Sequence, residues 1–234
     1  MIVVPILLSA AFHSIATAAR PMTTTAAITH IESDFPIAEL DDSRWKLARD
    51  VGVGDYWSGE KAPDSRGMRA RLLWSFNSLY VRFEAVQCEP LIISEKPRID
   101  TKTIGLWGRD VCEIFIAPDR NKRNKYFEFE IAPTGEWIDL GIEVTPKKRL
   151  TDWEYRSDMT SAVRVEKDKV VMAIKIPFAS LGKTPKEGDV WLGNLFRCVG
   201  SGPNRGYLAW RPTNIKNPAF HVPEAFGEFI FADR

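Results

Sequence analysis

The chain has 234 residues, 44% of them hydrophobic and 27% charged, with a formal net charge of +1. That composition suits a single globular domain with a sizeable core and excludes a bulk electrostatic attraction to nucleic acid or anionic membrane. Three cysteines, Cys88, Cys112 and Cys198, lack C-x-x-C spacing, which argues against a zinc site.

The N-terminal string "IVVPILLSAAFHSIATA" is apolar and ends in an A-x-A cleavage pattern, Ala16-Thr17-Ala18. Residues 1–21 therefore read as a signal peptide, implying a secreted or periplasmic protein, although a positively charged n-region is missing. A start at Met22 is the alternative and would leave the protein in the cytoplasm. The run is too short, and too broken by Pro5 and His13, for a membrane span. Residues 22–34, Thr/Ala-rich at first, read as an N-terminal extension before a domain over 35–234.

Period-two alternation then recurs along the chain. In "SLYVRFEAV", Leu79, Val81, Phe83 and Ala85 share one face, while Tyr80, Arg82 and Glu84 share the other. In "YFEFEIAP", Phe127, Phe129 and Ile131 alternate with Tyr126, Glu128 and Glu130. Such apolar-in, polar-out patterning marks half-buried antiparallel strands. "MRARLLWSF", "KVVMAIKIPF", "DVWLGNLFRCV", "GYLAWRP" and "AFGEFIFAD" add further strands. The short polar gaps Asn77-Ser78, Pro133-Thr134-Gly135 and Lys167-Asp168-Lys169 read as hairpin connections. "FASLGKTP" fits one helical turn before Gly182, and "KKR" over 147–149 reads as a solvated loop. No segment carries a sustained apolar stripe of helical period. The expected fold class is all-β, an antiparallel β-sandwich of two packed sheets, jelly-roll-like, with few short helical turns.

"GLWGRDVCEIFIAP" stands apart. Cys112, Ile114 and Ile116 share one face, and Val111, Glu113, Phe115 and Ala117 the other, so both faces are largely apolar and the strand is central. A carboxylate there needs a partner. One reading is a structural ion pair with Arg82 or Arg197; the other is an acceptor for ligand hydroxyls on a cleft wall. Trp107, in the turn before the strand, either packs on its own domain or forms a platform for the apolar face of a sugar ring.

These segments, with "YFEFEIAPTGEWID", "IKIPFASLG", "GNLFR", "YLAWRPT" and "FHVPEAFGEFIF", resemble the family 9 carbohydrate-binding modules in their single-domain family 9-like branch, over residues 35–234. The resemblance implies a β-sandwich and a carbohydrate ligand. It places a stacking tryptophan at Trp107, with Asp110 and Glu113 completing the D-x-x-E segment. A second stacking ring falls at Phe220, where the family has tryptophan. Glu128 and Glu130 occupy the strand on which sugar-binding members carry an arginine. Arg82, Asn194, Arg197, Trp210 and Asn214 are further candidate wall residues, each of which also reads as ordinary surface, core or salt bridge.

No cofactor is expected. A structural calcium ion would fit the family, but no D-x-D-x-D loop appears, and "APDRNKRN" is too basic for one. Three other functions remain open. Related sandwiches of the DOMON type hold haem, for which His221 with Met68, Met159 or Met172 would have to serve, His13 and His30 being the other histidines. A glycoside hydrolase would pair Glu113 with Glu128 or Glu130 across a cleft. A structural or interaction domain would have lost sugar binding altogether.

Overall fold

The computed structural model describes residues 24–233. The signal-peptide reading over 1–21, and His13 with it, lie outside the described residues. Fourteen strands follow one another: β1 (Thr25–His30), β2 (Val51–Val53), β3 (Asp55–Tyr56), β4 (Met68–Trp74), β5 (Ser78–Val86), β6 (Val111–Ala117), β7 (Lys125–Ile131), β8 (Trp137–Val144), β9 (Arg149–Asp152), β10 (Thr160–Val165), β11 (Lys169–Pro177), β12 (Val190–Val199), β13 (Gly206–Ala209) and β14 (Gly227–Ala232). Helical structure among the described residues is confined to short 3-10 turns such as Leu106–Gly108 and Phe178–Leu181. No helix of the described residues is long and apolar enough to cross a membrane.

The fold is the expected all-β sandwich, with one difference in how its layers join. The hydrogen-bonded order β10-β11-β5-β4-β1-β14-β12-β6-β7-β8-β9 is continuous, so a single sheet curls over to make both layers. The join is β1, which runs parallel to β14 from Thr25↔Glu228 to Thr29↔Ala232 and parallel to β4 at Thr29↔Leu73 and His30↔Trp74. Every other strand pairing is antiparallel. The segment read from composition as an extension thus supplies the bridging strand. Its Thr and Ile side chains suit a pleated surface.

Alternation sorts the side chains as the sequence indicates. Leu79, Val81 and Phe83 of β5 and Met172 and Ile174 of β11 meet Ile114 and Ile116 of β6, Phe129 and Ile131 of β7, and Leu195 of β12 in the inter-layer core. The faces read as solvated are not solvated. Tyr80 is buried beneath residues 31–48, stacked on Phe35 at 4.6 Å with its hydroxyl accepting from the Phe35 N–H. On β7, Tyr126, Glu128 and Glu130 are buried too, because loops fold over that face around a second apolar cluster. Half-buried strands were expected; both faces of the central strands are covered.

Gly193 shows how close that packing is. A Cβ at this position on β12 would collide with the Phe115 carbonyl oxygen of β6 and the Phe229 ring of β14. Backbone and a buried ring cannot step aside cheaply, so Gly193→Ala should destabilise the domain by about 1–3 kcal/mol, the usual cost of overpacking. Chemical denaturation of wild type and variant checks this; an unchanged midpoint would mean that the two neighbouring strands are free to separate there.

Candidate functional site

The second buried cluster lines the bottom of a cavity of about 320 Å³ on the outer face of β6, β7, β8 and β12. Alternation puts Glu113 and Phe115 of β6, Glu128 and Glu130 of β7, Leu140 and Ile142 of β8, and Cys198 of β12 on this surface. Antiparallel register sets Glu113 directly opposite Glu130, and Glu128 opposite Leu140. One carboxylate oxygen from each of the three glutamates lies within 4.8 Å of the other two.

These carboxylates lack the partners that buried acids usually have. Neither oxygen of Glu130, nor Oε2 of Glu128, has a hydrogen-bond donor. Glu113 accepts only a weak contact from the Cys198 thiol at 3.5 Å. The expected ion pair of Glu113 with Arg82 or Arg197 is not formed, since both guanidiniums are engaged elsewhere. Arg82 donates to the Leu40 carbonyl and to Glu84 beneath residues 31–48. Arg197 points into the other face of β12, donating to the Arg66 and Gly67 carbonyls and to Gln87. The basic group within 4 Å of the cluster is His221, its Nε2 3.8 Å from Glu128 Oε2. Burial, reinforced by the charge of Arg149, pushes the His221 pKa down to about 3, so this imidazole is neutral near pH 7. Tyr126 holds its Nδ1 at 2.8 Å.

Burial also pushes the glutamates up. Glu113 and Glu130 lie well above the usual carboxylate range, first through desolvation and then through their charged neighbours; Glu128 is raised by desolvation. Cys198 is raised by the same burial, and Cys112, on the inter-layer side, is pushed up to about 12. All three cysteines are free, and the two buried ones are inert small hydrophobes rather than nucleophiles.

The rim of the cavity is aromatic. Gly105, in the left-handed region at φ 83°, turns the chain into Leu106–Gly108, which presents Trp107. Trp107 is 40% exposed and Trp153, just past β9, is 39% exposed. Their ring centroids lie 6.4 Å apart at an interplanar angle of 36°. Both loops are braced. Arg205 donates to the Trp107 and Arg109 carbonyls at 2.7 and 2.6 Å, and its other nitrogen reaches the Gly200 carbonyl. Asp110 accepts from the Gly200 and Ile92 N–H groups. On the other side the buried Lys102–Asp139 pair at 2.6 Å, with Asp139 accepting from Ser157 N–H and Oγ–H, fixes the chain beyond Trp153.

The structure therefore gathers Trp107, Glu113, Glu128, Glu130 and Phe220 around one cavity. Phe220 is largely buried and stacks on Phe196 at 4.0 Å and 11°, so it forms a side wall, and the ring beside Trp107 is Trp153. Asp110 braces loops rather than facing the cavity. Asn194 is spent on the backbone of Leu195 and Arg211, Trp210 is stacked on Phe229 in the core, and Asn214 is exposed elsewhere. Sequence reasoning missed Trp153, Arg149 and the cavity role of His221. Arg149, read as the end of a solvated loop, opens β9 at the cavity mouth. The haem alternative loses its axial pair: Met68, Met159 and Met172 belong to the inter-layer side, away from His221.

Residues 38–234 match the family described as carbohydrate family 9 binding domain-like. A candidate carbohydrate-binding protein from Bacteroides uniformis shares the fold with a TM-score of 0.70 at 15% identity, over 88% of this chain and 98% of that one. A family 9 carbohydrate-binding module from Caldicellulosiruptor kristjanssonii, solved with cellotriose, gives 0.62 at 15% identity over 90% and 94% of the two chains. The same organism's module solved with glucose gives 0.61 at 16% over 89% and 96%. No curated protein matches the chain.

The raised carboxylates have a consequence for stability. A free glutamate titrates near 4.5, so between that pH and the raised native values the folded state holds more protons than the unfolded one, and stability falls as pH rises. Glu130→Gln keeps the shape and removes one of these groups. It should raise the melting temperature at about pH 8 and change it little at about pH 4, flattening the profile. Thermal melts across that range decide; a parallel downward displacement at every pH would mean that ionised Glu130 stabilises the fold.

Proposed function

Because the chain belongs to the carbohydrate family 9 binding domain-like family, we propose that it is a non-catalytic module that binds a mono- or oligosaccharide in the Trp107–Glu130 cavity. Ring faces stack on the rim and hydroxyls hydrogen-bond to the floor. The observation that carries this reading is the exposed indole pair, Trp107 and Trp153, held by braced loops directly above a buried polar floor. Large aromatic rings left in water beside a cavity are costly unless something covers them. A pyranose offers both an apolar C–H face and a set of hydroxyls, which matches a rim and floor of opposite character.

The floor also speaks against hydrolysis. A glycosidase sets its two carboxylates on either side of the scissile bond, about 5–10 Å apart, with the sugar between them. Glu113, Glu128 and Glu130 stand on one wall, on two adjacent strands, with oxygens within 4.8 Å. A sugar lies over all three rather than between any two.

Trp107→Ala and Trp153→Ala should each weaken binding by at least about 1 kcal/mol, the scale of ring stacking. Calorimetry against any hit from a glycan array, with circular dichroism to confirm folding, measures the loss. Wild-type affinity in both variants would remove the rim from the binding site.

A further inference from the structure

The floor of the cavity is anionic in composition yet has no cation of its own. The other buried carboxylates among the described residues have cationic or donor partners, Asp55 taking Lys61. Glu136 takes Arg109 and Thr134, Asp139 takes Lys102 and Ser157, and Asp110 takes two backbone N–H groups. The Glu113–Glu128–Glu130 cluster is different, because Glu130 is fully buried and, beyond the carboxyl of Glu128, neither of its oxygens has a partner. The charged and titratable groups facing it are Cys198, His221, Tyr126, Tyr207, Arg149 and Arg205. Burial raises the Cys198 thiol and the Tyr126 phenol and lowers the His221 imidazole, so these three are neutral. Arg205 is tied to Asp110 and three carbonyls. Arg149 is exposed at the mouth and, among the described residues, has no carboxylate oxygen within 4 Å. A buried acidic cluster with donors missing calls for a cation from outside the chain.

Resting on the sugar-binding reading, we propose that this cavity selects a cationic saccharide, a pyranose carrying a protonated primary amine, with the ammonium seated among Glu113, Glu128 and Glu130 and the ring against Trp107 and Trp153. An ammonium has three donors and no acceptor. Three carboxylates whose oxygens lie within 4.8 Å of one another offer one acceptor to each N–H. The remaining volume of the 320 Å³ cavity is far more than a bare ion needs, and its walls of Phe115, Leu140, Ile142 and Phe220 are apolar. Calcium takes six to eight oxygen ligands, and the cluster is three carboxylates from two strands. Burial shifts Glu113 and Glu130 toward their protonated forms when the site is empty. An arriving ammonium takes the place of whatever proton the carboxyls hold, and that proton goes to solvent.

The test is calorimetry on the full chain with matched pairs: glucosamine, galactosamine and mannosamine against glucose, galactose and mannose, each with and without a chelator. At neutral pH one amino sugar should bind about tenfold or more tightly than its neutral parent, the scale of a charge-assisted hydrogen bond. Glu130→Gln should abolish the preference, bringing the amino sugar to within about threefold of its neutral parent measured on the same variant. Glu128→Gln provides the same comparison if the first variant misfolds. Lowering the pH toward 5 should erode the preference, since protons then compete for the carboxylates. Equal or tighter binding of the neutral sugar overturns the inference and leaves the sugar-binding reading standing. Chelator-sensitive binding overturns it in favour of a metal on the glutamates. If no pyranose of either kind binds, the sugar-binding reading fails and this inference with it.

Discussion

The constraint on which the rest of this molecule depends is that β6, β7 and β12 are covered on both faces. A strand has only two sides, so each parity of residue receives a separate task. Cys112, Ile114 and Ile116 close the inter-layer core, while Glu113 and Phe115, between them, look the other way into the cavity. A slip of one residue in the β6–β7 pairing would move carboxylates into the apolar core and aromatic rings into the cavity. The hydrophobic packing of one face therefore fixes the Glu113–Glu130 register on the other. Site geometry here is a by-product of core packing, and the closeness of Gly193 to both neighbouring strands is part of the same lock.

Within that frame the protein treats its buried polar groups in two ways. Those that brace loops are saturated with partners. Arg205 spans the Trp107, Arg109 and Gly200 carbonyls, and Lys102 spans Asp139 and Tyr155. Those on the cavity floor have little beyond one another: Glu113 meets the Cys198 thiol, and Glu130 finds no donor outside the carboxyl cluster. Like charges directly opposite one another on neighbouring strands are destabilising, and burial makes the repulsion stronger because the surroundings screen it less. A stability-driven sequence would place Gln or Leu at one of these positions. Keeping three glutamates together, beneath a rim held rigid by well-paired groups, is the pattern expected of a binding surface rather than of a structural network.

Much of the fold was legible because alternation is a local signal. The strands of "SLYVRFEAV" and "YFEFEIAP", their hairpin turns and the central position of "VCEIFIA" can all be read from short windows. What failed was inference about what covers a face. Polar residues at alternate positions look solvated, and only the tertiary structure shows residues 31–48 lying on Tyr80 or the 218–221 segment closing over Glu128. The bridging role of Thr25–His30 was hidden for a related reason: a short Thr/Ala-rich string carries little pattern, and a parallel partner is set by chain geometry far away in sequence. At the site, Trp107 and the three glutamates stand within recognisable strand contexts. Trp153 does not, because it follows a four-residue edge strand with no alternation to frame it. Only proximity to Trp107 in space gives it meaning.

The two halves of the cavity make different physical contributions, which settles how the one basic residue at its mouth should be weighed. Stacking on Trp107 and Trp153 supplies area and is tolerant of what the ring carries, because any pyranose has an apolar face. Discrimination has to come from the floor. Arg149 stands at the entrance with the sign opposite to the glutamates, and it would repel a cation on its way in. Yet an exposed charge acts through water, where a unit pair at 4 Å is worth about 1 kcal/mol and less with salt, whereas a pair nearer the protein interior reaches about 4 kcal/mol. Arg149 is solvent-facing and the glutamates are buried at the bottom of the cavity. The sign of the field at the bound position is therefore that of the floor, while the mouth modulates only the approach. That separation lets a basic residue sit beside an acidic site without cancelling it.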